Sequence, residues 1–163
     1  MIDQPVWADT NLIAALAADC AASIAERGTQ RKGKTNASVS DQLISRLLDE
    51  VDVVSYVAEA RGLKLTSGSS AAYIAYDDPP AALQLHFDRP SFGDISMLLR
   101  IKAAAPTSGA PGSATIIVTE DGYQEYRLGV GECLIIDGVS TLHGRTPLSD
   151  GEMVQLLSLG FAL

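Results

Sequence analysis

Apolar positions in the first third of the chain recur at helical spacing. In "ADTNLIAALAADCAASIAERG" (8–28), Leu12, Ile13, Leu16, Cys20 and Ile24 fall on one helical face. Asp9 or Thr10 is placed to cap that helix, and Gly28 to end it. "SVSDQLISRLLDEVDVVSYVAEARG" (38–62) predicts a second helix, or two short ones. Ser38 or Ser40 caps it, Gly62 closes it, and Leu43, Leu47, Val54 and Val57 face a sheet. Between them, "GTQRKGKTNAS" is polar, basic and glycine-bearing, which predicts a mobile loop.

From residue 63 the period changes from helical to two. The segments "LKLTSG", "AAYIAYD", "ALQLHFD", "DISMLLRIKA", "SATIIVTE", "YQEYRLG", "ECLIIDG" and "VQLLSLGFAL" all predict strands. Turn chemistry separates them at 77–80, 89–93, 106–112, 120–122 and 149–151. Short strands at this spacing point to a jelly roll, and helices packed on one outer face make the class α+β, mainly β. The expected organisation is one domain over 1–163, with supporting helices in 1–62 and the jelly-roll core in 63–163.

Composition narrows the function classes. A net charge of −8 disfavours a nucleic-acid partner. No apolar run is long enough to span a bilayer, and no cationic leader precedes an apolar core, so a cytoplasmic protein without a membrane partner is expected. Cys20 and Cys133 lack metal or redox spacing and read as buried thiols. No phosphate loop or nucleophile elbow is present.

The chemistry concentrates on the two histidines. In "LQLHFDRPSFGD", His86 and Asp88 are two apart on a strand and project to one side, while Leu85 and Phe87 project to the other. Adding His143 gives two imidazoles and a carboxylate, a set that binds Fe(II) on one face and leaves positions open for other ligands. The competing reading is a pair of structural histidines.

"GVGECLIIDGVSTLHGRTPL" resembles the distal-histidine region of the Fe(II)/2-oxoglutarate-dependent oxygenases. "AAYIAYDDPPAALQLHFD" is similar to the segment that delivers the H-x-D of prolyl-hydroxylase-like members. The resemblance spans about residues 71–163 and implies a double-stranded β-helix, with His86, Asp88 and His143 as metal ligands, Fe(II) as the metal and 2-oxoglutarate as cosubstrate. It also implies hydroxylation of an unactivated C–H bond in a small metabolite, an amino acid or a peptide. Retention of Asp88 speaks against halogenation.

The resemblance implies a cation for the distal carboxylate of 2-oxoglutarate. Many members carry it about ten residues after the distal histidine, where this chain has "GEMVQLLSLGFAL" with neither Arg nor Lys. Arg100, sharing a strand face with Ser96 and Leu98, is the first candidate, after the plan of JmjC-type hydroxylases. Arg145, in L-H-G-R, is the second. Met97, Leu99, Ile116 and Ile135 are expected to keep the cavity dry, and one of Tyr73 and Tyr76 to point inward. Ser96 and Thr115 are candidate hydroxyl donors, and Trp7 a packing residue. The 28–40 segment, "DRPSFGD" and "APTSGAPGS" are candidate lids. A cupin-like metalloenzyme that does not use 2-oxoglutarate and a non-catalytic jelly-roll binding module are the alternatives. A homodimer is the prior for the assembly.

Overall fold

The change of period at residue 63 separates a helical layer from the sheets it braces. In the computed structural model, residues 2–31 and 33–163 are described. A two-residue strand β1 (Ile2–Asp3) precedes α1 (Thr10–Arg27). The Asp9 carboxylate accepts the Leu12 N–H at 2.8 Å, and the Gly28 N–H bonds the Ile24 carbonyl at 3.0 Å, so both ends are capped as the sequence implies. Leu12, Leu16 and Cys20 are buried beneath α1.

The second helical segment is broken. α2 (Asp41–Ser45) runs into a π-helical turn (Arg46–Glu50), and Asp52, at φ 52°, restarts the chain as α3 (Val53–Arg61). The Asp52 side chain caps α3 by accepting the Ser55 N–H. The restart shifts the helical phase by one residue: Val53 and Val57 are buried, whereas Val54, expected to face the sheet, is only half-buried.

The expected mobile loop is instead a hairpin of β2 (Thr29–Arg31) and β3 (Lys34–Ser38), with Gly33 in its turn at φ 76°. Lys32, part of that loop expectation, lies outside the described residues. Polar side chains hid the strands because the β2–β3 hairpin closes the edge of a sheet rather than crossing its middle.

The remaining strands are β4 (Ser67–Tyr76), β5 (Leu83–His86), β6 (Ile95–Ala104), β7 (Thr115–Thr119), β8 (Gly122–Tyr126), β9 (Cys133–Asp137), β10 (His143–Arg145) and β11 (Met153–Ala162). The segment "LKLTSG" is not a strand of its own; its end begins β4, which pairs with β11 along its length. The strands form a seven-stranded sheet, β1-β9-β6-β11-β4-β3-β2, and a four-stranded sheet, β5-β10-β7-β8, with every pairing antiparallel. This is the double-stranded β-helix plan.

The main core lies outside the sandwich, between the helices and the large sheet. It joins Leu12, Leu16, Leu47, Val53 and Val57 to Tyr73, Met97, Leu99, Leu157 and Phe161. Strand alternation then fixes the inner face. Met97, Leu99 and Ile135 belong to the helical side, and none of them, nor Ile116, lines the cavity expected of them. Their neighbours Leu98 and Ile136 line it, with Ile74 and Leu156. Tyr73 turns to the helices and donates to Asp19 at 2.8 Å, while Tyr76 faces inward.

Candidate metal centre and anion pocket

A cavity of about 290 Å³ opens between the sheets. His86 ends β5 and His143 begins β10, and the two residues are direct partners across the β5–β10 pairing. Gly144 permits that pairing: a Cβ there would stand 2.6 Å from the Leu83 carbonyl oxygen. Asp88 follows β5 and is tied to the loop after β9 by its N–H to the Gly138 carbonyl at 2.8 Å. The Ser96 hydroxyl donates to Asp88 Oδ2 at 2.6 Å. Gly138 leaves room for this bond, because a Cβ there would lie 2.5 Å from Asp88 Oδ2 and 2.6 Å from Ser96 Oγ.

The three side chains converge. Asp88 Oδ1 stands 3.6 Å from Nε2 of His86 and 3.6 Å from Nε2 of His143. One donor atom from each residue lies within 4.8 Å of the others. Both separations exceed a hydrogen bond. They sit between the roughly 3.0 Å of adjacent ligands and the roughly 4.2 Å maximum set by ion–ligand bonds of about 2.1 Å. Each imidazole is oriented the same way. His86 Nδ1 lies 2.9 Å from the Gln84 carbonyl and His143 Nδ1 lies 2.8 Å from the Thr141 carbonyl. Protonation at Nδ1 satisfies those carbonyls and turns a bare Nε2 lone pair toward Asp88. Burial opposes ionisation of Asp88, but the two imidazoles and the Ser96 hydroxyl outweigh it and hold the carboxyl well below its usual range. The Asp88 carboxylate in turn raises the proton affinity of His86. The donor set therefore fits a divalent ion: one anionic oxygen, two oriented imidazole nitrogens and a gap between them.

Along β10 from His143, two residues on, Arg145 lines the same cavity and is 7% exposed. Its Nη2 donates to the Ser113 hydroxyl at 2.8 Å and the Ser113 carbonyl at 3.3 Å, and its guanidinium lies 5.2 Å above the Tyr76 ring. Its Nε is buried without a hydrogen-bond partner, and no carboxylate of the described residues forms an ion pair with it. Burial pushes its pKa down to about 10. The nearest compensation is Glu152, one hydroxyl away. Glu152 Oε1 accepts from the Ser113 N–H and hydroxyl, both at 2.7 Å, and Oε2 accepts the Ser149 N–H at 3.1 Å. Donation to Glu152 turns a lone pair of the Ser113 hydroxyl toward Arg145. The guanidinium is thus held in place while its charge remains available to an anion in the cavity.

Arg100, the first candidate for that role, does not line the cavity. Its Nη1 donates to the Leu128 carbonyl, in the β8–β9 connection that crosses the end of β6. Ser96 and Thr115 both line the cavity, as do Phe92 of the "DRPSFGD" turn and Lys34 and Asn36 of the hairpin; the 106–112 loop does not. Trp7 packs edge-on against Tyr56, and both cysteines are free and buried. No signal in the sequence marked Ser113 as the residue that stands between Arg145 and Glu152: it lies 32 residues before the first and 39 before the second and meets both through tertiary pairing.

No protein-family model and no curated relative matches the chain. Solved structures do. A prolyl-4-hydroxylase from Pseudomonas putida aligns with TM-score 0.72 and 18% identity over 94% of this chain and 86% of its own. A 2OG-Fe(II) oxygenase family oxidoreductase from Burkholderia pseudomallei aligns with TM-score 0.76 and 11% identity over 98% and 82%. A Trichoplax adhaerens prolyl hydroxylase, in complex with a peptide fragment of hypoxia inducible factor, aligns with TM-score 0.77 and 11% identity over 99% and 82%. The fold is that of the 2OG-Fe(II) oxygenases. Within the oxygenase fold chemistries differ: the alpha-ketoglutarate-dependent epimerase SnoN aligns as well, with TM-score 0.74. Activity therefore has to be argued from the site. Among the described residues no helix is long and apolar enough to cross a membrane.

Proposed function

We propose that the chain is an Fe(II)- and 2-oxoglutarate-dependent oxygenase that oxidises a C–H bond of a small molecule or peptide, most simply by hydroxylation. The carrying observation is the presence in one cavity of the His86–Asp88–His143 set and a buried arginine that forms no ion pair with a carboxylate of the described residues. His86, Asp88 and His143 would hold the iron. Arg145 binds the distal carboxylate of 2-oxoglutarate, with Thr115, its β7 partner, beside it. Iron supplies the redox chemistry that couples O₂ and decarboxylation of the 2-oxo acid to oxidation of the substrate.

The protein's own groups do the rest. The Nδ1 bonds to Gln84 and Thr141 fix both rings with Nε2 turned toward the metal position. Ser96 holds Asp88 Oδ2, leaving Oδ1 for the metal. Ser113 orients Arg145, and Glu152 orients Ser113. Leu98, Ile136, Ile74 and Leu156 form walls that exclude water from the reacting centre. The whole chain acts as one unit, the helices bracing the large sheet from behind.

The test is anaerobic titration of the protein with Fe(II) and 2-oxoglutarate, followed by visible absorption of the chelated 2-oxo acid. Wild type gives the band and His143→Ala abolishes it. A wild-type protein that binds iron without the band would instead support a metalloenzyme of the cupin type. One that binds neither would support a non-catalytic jelly roll.

A further inference from the structure

The cavity between the sheets sits at the lower end of the roughly 300–1,000 Å³ typical of small-molecule sites. A five-carbon diacid reaching from the metal to Arg145 takes up much of it. A substrate can place only its reacting end inside, and the remainder must lie elsewhere. A second, more open groove of about 540 Å³ runs along the outside of β5. Three residues line both spaces: Lys34, Leu83 and His86. They form a doorway whose inner post is a metal-ligand candidate.

The doorway lies between two sheet edges, β5 of the small sheet and the β2–β3 hairpin of the large one. Lys34 and Asn36 are two apart on β3, share a face and both line the inner cavity. Among the residues lining that cavity, Arg145 and Lys34 are the two cations. Arg145 is held by Ser113 at the closed end, whereas Lys34 stands where cavity and groove meet. The groove beyond it is walled by Pro80, Ala82 and Leu85, with Leu85 49% exposed.

Resting on the oxygenase reading above, we infer that the doorway selects a substrate with an aliphatic body and a carboxylate. The carboxylate pairs at the doorway with the Lys34 ammonium and the Asn36 amide N–H, one branch of the body lies against Leu85 and Pro80, and the branch that carries the carbon to be oxidised passes His86 into the cavity.

The experiment uses the full chain with Zn(II) and saturating 2-oxoglutarate, so that Arg145 is occupied and no turnover occurs. Affinities of 4-methylpentanoate and N-acetyl-L-leucine are measured against 4-methylpentanamide and N-acetyl-L-leucinamide by saturation-transfer NMR. In wild type each acid binds about five- to tenfold tighter than its amide, as expected for one ion pair at a half-buried site. Lys34→Met brings that ratio to near one, and Lys34→Arg retains it. Affinity for 2-oxoglutarate, measured separately, is the same in all three proteins. The inference is overturned if wild type shows no preference, if no acid binds, if Lys34→Met keeps the preference, or if Lys34→Met weakens 2-oxoglutarate itself. A wild type that does not bind 2-oxoglutarate refutes the parent reading alone. The acid–amide ratios, repeated without it, still decide the role of Lys34.

Discussion

Replacing Glu152 by Gln keeps the shape of a buried side chain and removes its charge. Glu152 is 2% exposed and accepts three hydrogen bonds, two at Oε1 from Ser113 and one at Oε2 from Ser149. A glutamine that keeps its oxygen on Ser113 points its NH₂ at the Ser149 N–H, donor against donor. An orphaned buried donor costs about 1–3 kcal/mol, and two bonds reduced from charged to neutral acceptors lose about 1 kcal/mol each. The sum is about 3–5 kcal/mol, a fall in Tm of about 6–20 °C for a chain of this length. The effect depends on pH with a defined sign. Burial works against the Glu152 carboxylate, but the Ser113 and Ser149 donors outweigh it and lower its pKa. Its stabilisation is therefore complete above the unfolded value of about 4.3 and is lost as pH falls through the lower folded value. Thermal unfolding of both proteins at neutral and acid pH tests this. The gap should be wide at pH 7 and should narrow below about pH 4. A gap under 2 °C at pH 7, or one that does not change with pH, would refute the bonding pattern at Ser113.

Three further outcomes follow from the same geometry. Gly138→Ala pushes a methyl into Asp88 and Ser96 and should lower metal affinity at least tenfold while leaving the fold's circular dichroism intact, read by competition with a chromogenic chelator. Arg145→Met should weaken 2-oxoglutarate by about a hundredfold, the loss of a charge-assisted pair of about 3 kcal/mol, in isothermal titration. Arg100→Met should leave 2-oxoglutarate affinity within threefold of wild type, because its guanidinium holds Leu128 outside the cavity; a hundredfold loss there would reverse the two arginines' roles.

The His86–Asp88–His143 cluster was legible because its signal is local. His86 and Asp88 are two residues apart, Asp88 lying just past the end of β5, and with two histidines in the chain His143 had no rival. The helices and long strands were legible for the same reason, since their periods repeat over many residues. The failures are where a few residues or a distant partner decide. β10 is three residues long, too short for any period, yet it carries both His143 and Arg145. The 29–38 hairpin is polar because it sits at an edge, so it lacked the apolar alternation that marks a buried strand. The break at Asp52 moved Val53 into the core in place of Val54, and an offset of one residue put Leu98 and Ile136 on the cavity instead of Met97 and Ile135. The choice between Arg100 and Arg145 could not be read from spacing. It depends on Leu128, Ser113 and Glu152, which reach those arginines only through tertiary contacts.

The most direct measurement is a crystal structure of the protein soaked anaerobically with Fe(II) and 2-oxoglutarate, with iron located by anomalous scattering. The expected result is one iron within about 2.0–2.3 Å of His86 Nε2, His143 Nε2 and Asp88 Oδ1, and the distal carboxylate of 2-oxoglutarate on the Arg145 guanidinium. Iron bound away from those three atoms, or a 2-oxo acid whose far carboxylate rests on Arg100, would contradict it.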